Sequence, residues 1–454
     1  MRVDRDLLSW MPDSIRQILE RLNRAGFAAY VVGGCVRDAL LGRRPHDWDI
    51  CTSALPQEVV ACFTDRIVHL TGVKHGTVLV SWEGEGVEIT TFRTEGGYSD
   101  HRHPDRVTFV RSLETDLARR DFTVNAMAYH PDRGVVDPFG GRRDLKKGFI
   151  RCVGVPEQRF QEDGLRILRA LRFAARYGFS IEGETARAME QCRALLDCIA
   201  VERIFQELKG FFCGRFVRTL LLEHRDIFAQ CLPELRSTFG FDQRNRNHCC
   251  DVWEHTVWAV ENIAPDPVLR LAMLFHDVGK PACFAVDAAG EGHCNGHSTV
   301  SACIAAEALT RLRCDGATLR DVTALVEAHD QIRHFTRKTT CRLLSRMGIV
   351  QTRRLLQVME ADIKAQAPAT VGGKMEQLLE GYARVDAVLT AGACFTKRDM
   401  ALKGGDLLAM GLRPGVLLGT VLDRLFQEVL DGTLENNRDA LLARARELME
   451  RKKS

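Results

Sequence analysis

The sequence predicts an α+β domain that is followed by a long and almost entirely helical region. From about Ala28 to Ile150, short β-rich runs are broken by glycine, whereas from Glu157 onward apolar residues recur with helical spacing and strand signals become scarce. A domain averages about 150 residues. The 454 residues of the chain therefore suffice for about three domains with sizeable cores.

The β-rich runs of the first region are AAYVVGG, HGTVLVSW, GVEITTFR and DRVTFV, and one helical run, PQEVVACF, lies among them. Weakly patterned segments near Ile150, Gly214 and PATVGG around Ala369 predict the domain boundaries, since a linker would disturb least there. The predicted divisions are a head of residues 1–150, a neck of residues 151–214, a body of residues 215–368 and a tail of residues 369–454.

The composition is that of an ordinary globular chain. Hydrophobic residues make up 45% and charged residues 27%, which excludes disordered and collagen-like proteins. No apolar run approaches the roughly 18 residues of a membrane span, and the first residues show no secretory signal. We therefore expect a cytoplasmic protein without a membrane partner. The 16 cysteines form no CxxC pair and predict reduced, mostly buried thiols.

Charge is balanced over the whole chain, with 63 basic and 60 acidic residues, but it is unevenly distributed. The stretch from Gln331 to Met359 has no acidic residue. It contains seven basic residues: Arg333, Arg337, Lys338, Arg342, Arg346, Arg353 and Arg354. Such a stretch is either a solvated helical face or a surface that contacts phosphates.

Two carboxylates on one predicted strand indicate a metal site in the head. Residues two apart in a strand project on the same face, so Asp47 and Asp49 can reach one cation. Mg²⁺ is the natural counter-ion, because it accepts carboxylates, water and substrate phosphates. Glu88 lies on a later predicted strand. If that strand packs beside the first, Glu88 would hold a second metal or activate a hydroxyl.

A Gly-Gly turn precedes these carboxylates. Gly33 and Gly34 allow the backbone to approach a phosphate closely at the start of a helix, and Arg37 adds a donor one turn later. Each signal is weak by itself. Together they indicate a two-metal nucleotidyl transfer site, because all the parts serve one triphosphate.

Charged residues in the predicted neck recur every three positions along one helix. They are Asp163, Arg166, Arg169 and Arg172. The stripe is either an ion-pair ladder or a surface that reads bases. Cytosine and adenine both present an amino donor beside a ring-nitrogen acceptor, which an aspartate and an arginine can satisfy together. Uracil and guanine invert that edge, and a site built on hydrogen bonds rejects them.

Ordered motifs give the chain a family resemblance. GGCVRD (33–38), DWD (47–49), RRDFTVNA (119–126) and EDGLR (162–166) resemble the class II tRNA nucleotidyltransferases, the bacterial-type CCA-adding enzymes, whose close relatives are the bacterial poly(A) polymerases. DPFGGRRDL (137–145) and KGGDLLAMG (403–411) extend the resemblance over most of the chain. It implies a polymerase-β-like head with a mixed sheet, followed by an all-helical neck, body and tail.

The resemblance also implies template-independent addition of C, C and A to tRNA from CTP and ATP. It places Asp47 and Asp49 on Mg²⁺, and Glu88 matches the third acid of the family. It implies these nucleotide-binding roles: Gly34 and Arg37 at the nucleotide, Arg120, Arg169 and Arg172 around the triphosphate, and Asp163 and Arg166 at the base. The polar segment RTEGGYSDHRHPDRVTF (93–109) resembles the family's flexible loop for the switch from CTP to ATP, which favours complete CCA synthesis.

Histidines and aspartates in the body indicate a second metal site. They occur in VWEHT, LAMLFHDVGKP, EGHCNGHS and EAHDQ. Their order resembles the HD phosphohydrolase domain, which implies a divalent transition metal with the ligands His255, His276, Asp277 and Asp330, and His297 as a fifth. A metal-activated water would hydrolyse phosphate esters or a 2',3'-cyclic phosphate there. The alternative is a domain that serves only as a helical scaffold.

The partners that we expect are tRNA, CTP and ATP, and a homodimer is the oligomer that we consider. A poly(A) polymerase or an enzyme that adds only part of CCA is the nearest alternative. A metal-dependent phosphohydrolase whose first domain merely binds RNA is an alternative from another class. A small-molecule nucleotidyltransferase is weaker, because the long helical portion and the arginine helix would have no role in it.

Overall fold

The computed structural model describes residues 9–70, 72–97, 105–245, 247, 249–331 and 334–450. It divides into two compact units, Met1–Pro233 and Glu234–Ser454. The first unit contains the predicted head and neck together with residues 215–233 of the predicted body, so its boundary does not coincide with the one predicted near Gly214. The second unit is built almost wholly of helices. The predicted fold class, a mixed sheet with helices followed by an all-helical region, is therefore confirmed.

A mixed seven-stranded sheet forms the head. Its strands are β1 (Ala29–Val32), β2 (Asp49–Thr52), β3 (Ile67–His69), β4 (Thr77–Trp82), β5 (Glu85–Thr91), β8 (Ala128–His130) and β9 (Gly134–Val136), in the spatial order β3-β4-β5-β2-β1-β8-β9. A separate hairpin consists of β6 (Arg93–Gly96) and β7 (Arg106–Phe109). Strands β2 and β5 run parallel, whereas β1 and β2 are antiparallel. The sequence predicted β1, β2, β4, β5 and β7 but missed the short β3, β8 and β9. The strand predicted to carry both Asp47 and Asp49 begins only at Asp49, so Asp47 lies just before it.

Eleven described helices complete the first unit. They are α1 (Asp13–Arg24), α2 (Gly34–Leu40), α3 (Pro56–Cys62), α4 (Leu113–Ala118), α5 (Gly141–Lys147), α6 (Pro156–Glu162), α7 (Arg166–Tyr177), α8 (Gly183–Gln191), α9 (Val201–Phe212), α10 (Arg218–Glu223) and α11 (Arg225–Cys231). Helix α1 buries Ile15, Ile18, Leu19 and Leu22, whose spacing gives one apolar face. Short parallel strands β10 (Phe149–Ile150) and β11 (Ser180–Ile181) pair between head and neck.

The charged stripe of the neck does not lie on one helix, so that part of the prediction is wrong. Asp163 has an extended backbone between α6 and α7, and its Oδ1 accepts a hydrogen bond from the Leu165 amide at 3.1 Å. An aspartate that bonds the backbone locally favours such breaks. At Gly164 a Cβ atom would lie 2.9 Å from the Leu195 Cβ, so the break also packs too closely for a larger residue. The three arginines of the stripe do lie on α7.

The second unit consists of ten described helices and one small hairpin. The helices are α12 (Val252–Glu261), α13 (Pro267–Phe275), α14 (Lys280–Cys283), α15 (His297–Arg311), α16 (Gly316–Ala328), α17 (Arg337–Lys364), α18 (Pro368–Thr390), α19 (Gly404–Ala409), α20 (Val416–Leu430) and α21 (Arg438–Glu450). The hairpin pairs β12 (Ala285–Val286) with β13 (Gly292–His293). Segment PATVGG begins α18, with Pro368 in the first turn, and is not a linker.

The basic stretch predicted from the sequence lies mainly on α17, apart from Arg333, which is outside the described residues. Acidic residues of other helices neutralise much of it. The ion pairs are Lys338 and Arg342 with Asp431 at 3.4 and 2.7 Å, Arg353 with Asp386 at 2.8 Å, and Arg354 with Asp321 at 3.0 Å. The sequence could not reveal these pairs, because the acids lie far away along the chain.

Two further predictions concern the whole chain. All 16 cysteines are free, as predicted, but six are buried and ten are partly or fully exposed, so most are not core residues. In the described ranges, no helix has the length and apolar character that crossing a membrane requires.

Gly141, in the first turn of α5, provides a test of the close packing of this helix against Thr123 and Met127. A Cβ atom there would lie 2.3 Å from the Thr123 carbonyl oxygen and 2.8 Å from the Met127 side chain. We predict that Gly141→Ala lowers the free energy of unfolding by about 1–3 kcal/mol, as overpacking does. The measurement is urea unfolding followed by circular dichroism.

The matched control is Gly183→Ala. Gly183 also begins a helix, and a Cβ atom there would have open space around it. This variant should keep or slightly raise the stability, by at most about 1 kcal/mol. Equal losses in both variants would contradict the packing argument.

Candidate functional site

Three carboxylates converge where β2 and β5 begin the parallel part of the sheet. Asp49 opens β2, and Ile50 pairs with Ile89, so Asp49 lies beside Glu88. Asp47 precedes β2, and all three side chains line one cavity of about 520 Å³. The neighbouring strand placement, which the role of Glu88 required, is therefore present.

The electrostatics of this cavity favour a cation. Partial loss of water around Asp49 raises the pKa of its carboxyl, Arg120 opposes the rise, and the charges of Glu88 and Asp47 add to it. Carboxylates that destabilise one another's charge are relieved by a divalent ion, and oxygen donors of this kind suit Mg²⁺. The donor set thus fits the magnesium ions that the sequence implied.

The Gly-Gly turn lies close to Arg120. Gly33 has a φ of 81°, which a side chain rarely adopts, and a Cβ atom there would lie 3.1 Å from Arg120 Nη1. Gly34 is the first residue of α2. Arg120 is therefore near both the turn and Asp49, and its guanidinium could meet the phosphates of a nucleotide whose metal the carboxylates hold.

The sequence predicted that Arg37 donates to a phosphate, but in the structure its guanidinium contacts protein groups. Arg37 is only 5% exposed. Its guanidinium donates to Asn125 and to Asp38, and it stacks on Phe173 and Tyr177 with centroid distances of 5.2 and 4.9 Å. The Tyr177 hydroxyl donates to the same Asp38 at 2.9 Å. Arg37 therefore joins α2 of the head to α7 of the neck.

A second buried contact reinforces this joint. Arg169 Nε and Nη2 donate to Asp121 Oδ2 at 3.0 and 2.7 Å, and Asn125 Nδ2 donates to Asp121 Oδ1 at 3.0 Å. Asn125 in turn accepts from Arg37. Burial alone would raise the pKa of Asp121, but Arg169 and Asn125 hold it at about 2. The motif RRDFTVNA contains Asp121 and Asn125, yet its sequence gave no sign of their buried partners.

The remaining charged residues of the neck also have protein partners. These pairs are Arg166 Nη1 with Glu162 Oε2 at 2.6 Å, Asp163 Oδ2 with Arg203 Nη2 at 2.8 Å, and Arg172 Nε with Glu207 Oε2 at 2.6 Å. Arg203 and Glu207 lie on α9, and no motif in the sequence marked them as part of the site. Helix α9 thus holds one polar side of the α6–α7 junction.

The segment that the sequence indicated as a specificity loop forms the β6–β7 hairpin, and residues 98–104 of it lie outside the described residues. Glu95 on β6 pairs with Arg93 at 2.6 Å and with Arg119 at 3.0 Å. The base of the hairpin is therefore tied to the residue that precedes Arg120.

Four histidines and two aspartates meet in the second unit. Asp277 lies in the middle: its Oδ2 is 3.2 Å from His276 Nε2 and 3.4 Å from His255 Nε2, and its Oδ1 is 3.2 Å from His297 Nε2. Asp362 Oδ1 lies 3.0 Å from His255 Nε2. His329 Nε2 lies 3.3 Å from the His297 Nε2 atom. We call these six residues the histidine cluster.

The hydrogen bonds of the four rings leave lone pairs facing one another. Each Nδ1 contacts a backbone carbonyl oxygen, which can only accept a hydrogen bond. The four contacts are His255 with Ala365 at 3.2 Å, His276 with Met273 at 2.7 Å, His297 with Cys294 at 2.9 Å, and His329 with Val326 at 2.7 Å. Nδ1 therefore carries the hydrogen, and a neutral ring offers Nε2 as an acceptor. Two such acceptors, His255 and His276 Nε2, lie 3.2 Å apart. A proton or a cation has to lie between them.

A metal ion fits this gap. Metal–nitrogen bonds of about 2.0–2.1 Å in tetrahedral geometry bring ligand atoms to roughly 3.3 Å from one another. Without a metal a proton takes the place: burial alone would lower the pKa of His276, but Asp277 and Asp362 raise it to about 10. Metal binding would then displace that proton.

Of the predicted metal ligands, the structure leaves out Asp330 and brings in Asp362 and His329. Asp330 is exposed, whereas His329 is buried. The sequence carried no signal that separates these two residues, because His329 and Asp330 follow the buried Val326 by three and four positions, and both spacings place a residue on the same helical face. Asp362 had no signal either, because it comes from the distant helix α17.

The histidine cluster opens onto a polar cleft of about 460 Å³. Its wall includes Lys280, Lys374 and the side-chain amides of Gln243, Asn245 and Asn247. Lys280 Nζ contacts Asp277 Oδ2 at 2.5 Å and donates to Gln243 at 2.7 Å. Ammonium and amide donors beside a metal suit a phosphate group.

Models of known protein families match much of the chain. The poly A polymerase head domain matches residues 29–151, the RNA and SrmB binding site of polymerase A matches residues 178–239, and tRNA nucleotidyltransferase domain 2 matches residues 299–445. The head match contains the three carboxylates, and the third match contains part of the histidine cluster.

Individual proteins are similar over nearly the whole length. The CCA-adding enzyme of Limosilactobacillus fermentum is 37% identical over 437 residues, which is 96% of each protein. That of Lactiplantibacillus plantarum is 34% identical over 443 residues, or 95% of each. The crystal structure of the Bacillus stearothermophilus CCA-adding enzyme in complex with CTP has a TM-score of 0.69, 30% identity and 97% coverage of both chains. The Thermotoga maritima CCA-adding enzyme complexed with tRNA shares the fold, with a TM-score of 0.61, 20% identity and 98% coverage of both chains.

The buried pair of Asp121 and Arg169 predicts a pH-dependent contribution to stability. An unfolded aspartate has a pKa of about 3.9, and the folded pKa of Asp121 is about 2. The pair therefore stabilises the fold above pH 4 and loses this effect as the pH falls toward 2. We predict that Asp121→Asn costs about 2 kcal/mol at pH 7 and progressively less below pH 4, as measured by urea unfolding.

Asp226→Asn, at an exposed aspartate of α11, is the control. It should cost less than about 1 kcal/mol at every pH. A cost of Asp121→Asn that stays constant down to pH 3 would contradict the ion-pair argument.

Proposed function

The chain belongs to the CCA-adding enzymes, and from this membership we propose that its head and neck add C, C and A to the 3' end of tRNA from CTP and ATP. The reaction class is nucleotidyl transfer, with release of pyrophosphate. The observation that carries the proposal is the convergence of Asp47, Asp49 and Glu88 beside Arg120 and the Gly33 turn. Carboxylates, a cation and a close backbone approach are what a metal-bound triphosphate needs.

Magnesium ions held by Asp47 and Asp49 would offset the negative charge on the entering and leaving oxygens. Glu88, beside Asp49 in the sheet, adds the third carboxylate that keeps the site negative enough for such ions. Arg120 opposes the excess negative charge at Asp49 and is placed to contact the phosphates. Gly34 begins α2 directly after the turn, so its backbone is open to the nucleotide.

The base is read in the neck. Asp163 would accept a hydrogen from the amino group of cytosine or adenine, and Arg166 would donate to the adjacent ring nitrogen. Uracil and guanine present a carbonyl and an N–H at these positions, so each would leave both side chains without a partner. No nucleic-acid template is required for this choice.

Arg169 and Arg172 would neutralise the triphosphate together with Arg120. Arg169 keeps about a third of its side chain exposed while it pairs with Asp121, so it can contact both the carboxylate and a phosphate. Arg37 would act indirectly, because its buried guanidinium joins the head to α7. The nucleotide would therefore bind where the sheet and the neck helix are tied together.

Transfer RNA is the acceptor that we propose. The basic residues of α17 would contact its backbone in a mode that depends on shape and salt, although their acidic neighbours weaken this attraction. A cytoplasmic location and a homodimeric state stay predictions.

The histidine cluster supports a second activity, the metal-dependent hydrolysis of phosphate esters. Two observations favour it: the lone pairs that face one another, and the cleft with Lys280 and Lys374 beside them. The residues that would hold the transition metal are His255, His276, Asp277 and Asp362. The chemistry such a metal supplies is an activated water. Lys280 and the side-chain amides would orient the phosphate.

The transferase proposal predicts what a purified chain does with tRNA transcripts that lack CCA. With labelled CTP and ATP, products resolved at single-nucleotide length should end after CCA. A long adenosine tail would indicate a poly(A) polymerase, and arrest after CC would indicate partial addition. Asp49→Asn should lower incorporation by at least about a hundredfold, because the transition state loses several kcal/mol of stabilisation by the metal ions.

Glu85→Gln is the matched control for this variant. Glu85 is exposed, lies at the start of β5 and lines the same cavity without neighbouring Asp49 in the sheet. Its activity should stay within about threefold of the wild type, since water and salt screen the exposed Glu85 charge from the other carboxylates. Near-normal turnover of Asp49→Asn would refute the carboxylate assignment.

The hydrolase proposal predicts metal in the purified full-length protein. After incubation with Mn²⁺ or Ni²⁺ and gel filtration, elemental analysis should find bound metal in the wild type and little in Asp362→Asn, because one charged ligand is lost. Asp330→Asn should keep its metal, since Asp330 lies outside the cluster. Equal metal content in the two variants would contradict the assignment of Asp362. Turnover of a 2',3'-cyclic nucleotide without any NTP would test the chemistry separately.

A further inference from the structure

Arg203 on helix α9 contacts both carboxylate oxygens of Asp163, the residue that we propose accepts from the base. Arg203 Nη2 lies 2.8 Å from Asp163 Oδ2, and Arg203 Nη1 lies 3.4 Å from Asp163 Oδ1. The two side chains are 25% and 17% exposed. A guanidinium that meets both oxygens of a carboxylate fixes the plane of that carboxylate as well as its position.

Asp163 needs this support because little else holds it. Its backbone is extended in the break between α6 and α7, so no helix fixes its direction. Among the described residues, the partners of its side chain besides Arg203 come down to one hydrogen bond, which Oδ1 accepts from the Leu165 amide at 3.1 Å. An ionised carboxylate offers about four acceptor positions. Acceptor capacity therefore remains for an amino group of a base.

Arg166, the other member of the reading pair, is held by different groups. Its Nη1 donates to Glu162 Oε2 at 2.6 Å and to the Arg159 carbonyl at 3.1 Å, and its Nη2 donates to the Arg119 carbonyl at 3.3 Å. The donor and the acceptor that face the base thus have separate supports. Loss of one support would disturb one half of the reading pair.

We propose that Arg203 is a specificity-determining positioning residue that holds the Asp163 carboxylate in the plane where it accepts from the amino group of cytosine or adenine. This inference rests on the proposed reading of bases by Asp163 and Arg166. Without Arg203, Asp163 can turn about its side-chain bonds, and the amino group loses a well-aligned acceptor. The preference for CTP and ATP over UTP and GTP then falls, since the carboxylate no longer enforces the amino edge.

Glu207, one turn further along α9, offers a matched comparison. It accepts from Arg172 Nε at 2.6 Å and lies 3.9 Å from Arg169 Nη1. Both arginines belong to the proposed triphosphate group, which is the same in all four NTPs. Disturbing Glu207 should therefore alter the binding of every NTP alike and leave base preference unchanged.

The test uses full-length Arg203→Met, Arg203→Lys and Glu207→Gln with tRNA transcripts that lack CCA or only the terminal A. The values of kcat and KM are measured for each of the four NTPs singly. For Arg203→Met we expect the ratio of kcat/KM for CTP over UTP, and for ATP over GTP, to fall at least tenfold. Arg203→Lys keeps a cation and should recover part of the ratio. Glu207→Gln should raise KM for all NTPs by a common factor.

A common loss for all four NTPs in Arg203→Met, or no change at all, would overturn the proposal, because either result would make Arg203 a purely structural or neutral residue. Thermal melting shows whether each variant is folded, and Arg203→Lys supplies the readout if Arg203→Met is not. Asp163→Ala distinguishes failure of the proposed base reading from failure of the proposed role of Arg203. If both Asp163→Ala and Arg203→Met keep the full base preference, the proposed base reading fails. If Asp163→Ala loses the preference and Arg203→Met keeps it, only the role of Arg203 is refuted.

Discussion

The buried ion pair between Asp121 and Arg169 is the interaction on which the candidate transferase site depends. It joins a loop of the sheet domain to the neck helix α7, and Asn125 extends it to Arg37. Asp121 is buried, so loss of Arg169 would leave its charge in a poorly hydrated place without its main partner, which is costly. The sheet that carries the carboxylates and the helix that carries the arginines are therefore held in one arrangement before a nucleotide arrives.

The arginines of the neck show how such preorganisation is reached. Arg166, Arg169 and Arg172 each pair with a carboxylate of the protein. These pairs fix the side chains in advance, so that less conformational entropy is lost when a ligand binds. They also keep a row of like charges from repelling one another on one helix. The sequence displays the arginines as a stripe, but their function depends on acids that lie elsewhere in the chain.

Both candidate metal sites bring electron-donating atoms together, carboxylate oxygens in the head and imidazole nitrogens in the second unit. In the head, Asp47, Asp49 and Glu88 gather negative charge that Arg120 opposes in part. In the second unit, four imidazole rings turn their lone pairs toward one another because backbone carbonyls take up the other ring nitrogens. Both arrangements are unfavourable without a cation. In each case an arrangement that lowers the stability of the cation-free protein provides a binding site for a positive ion.

The sequence by itself determined the α+β head, the helical remainder and the carboxylates, because strand alternation, helical spacing and ordered motifs are local patterns. It also indicated four of the six cluster residues as ligands. Only the tertiary structure decided that Asp163 lies in a break before α7, that Asp362 replaces Asp330, and that Arg37 is buried. It also decided which partners Asp121, Arg203 and Glu207 have. The physical reason is that these contacts join residues 35 to more than 100 positions apart, and pairing over such distances depends on packing rather than on local sequence.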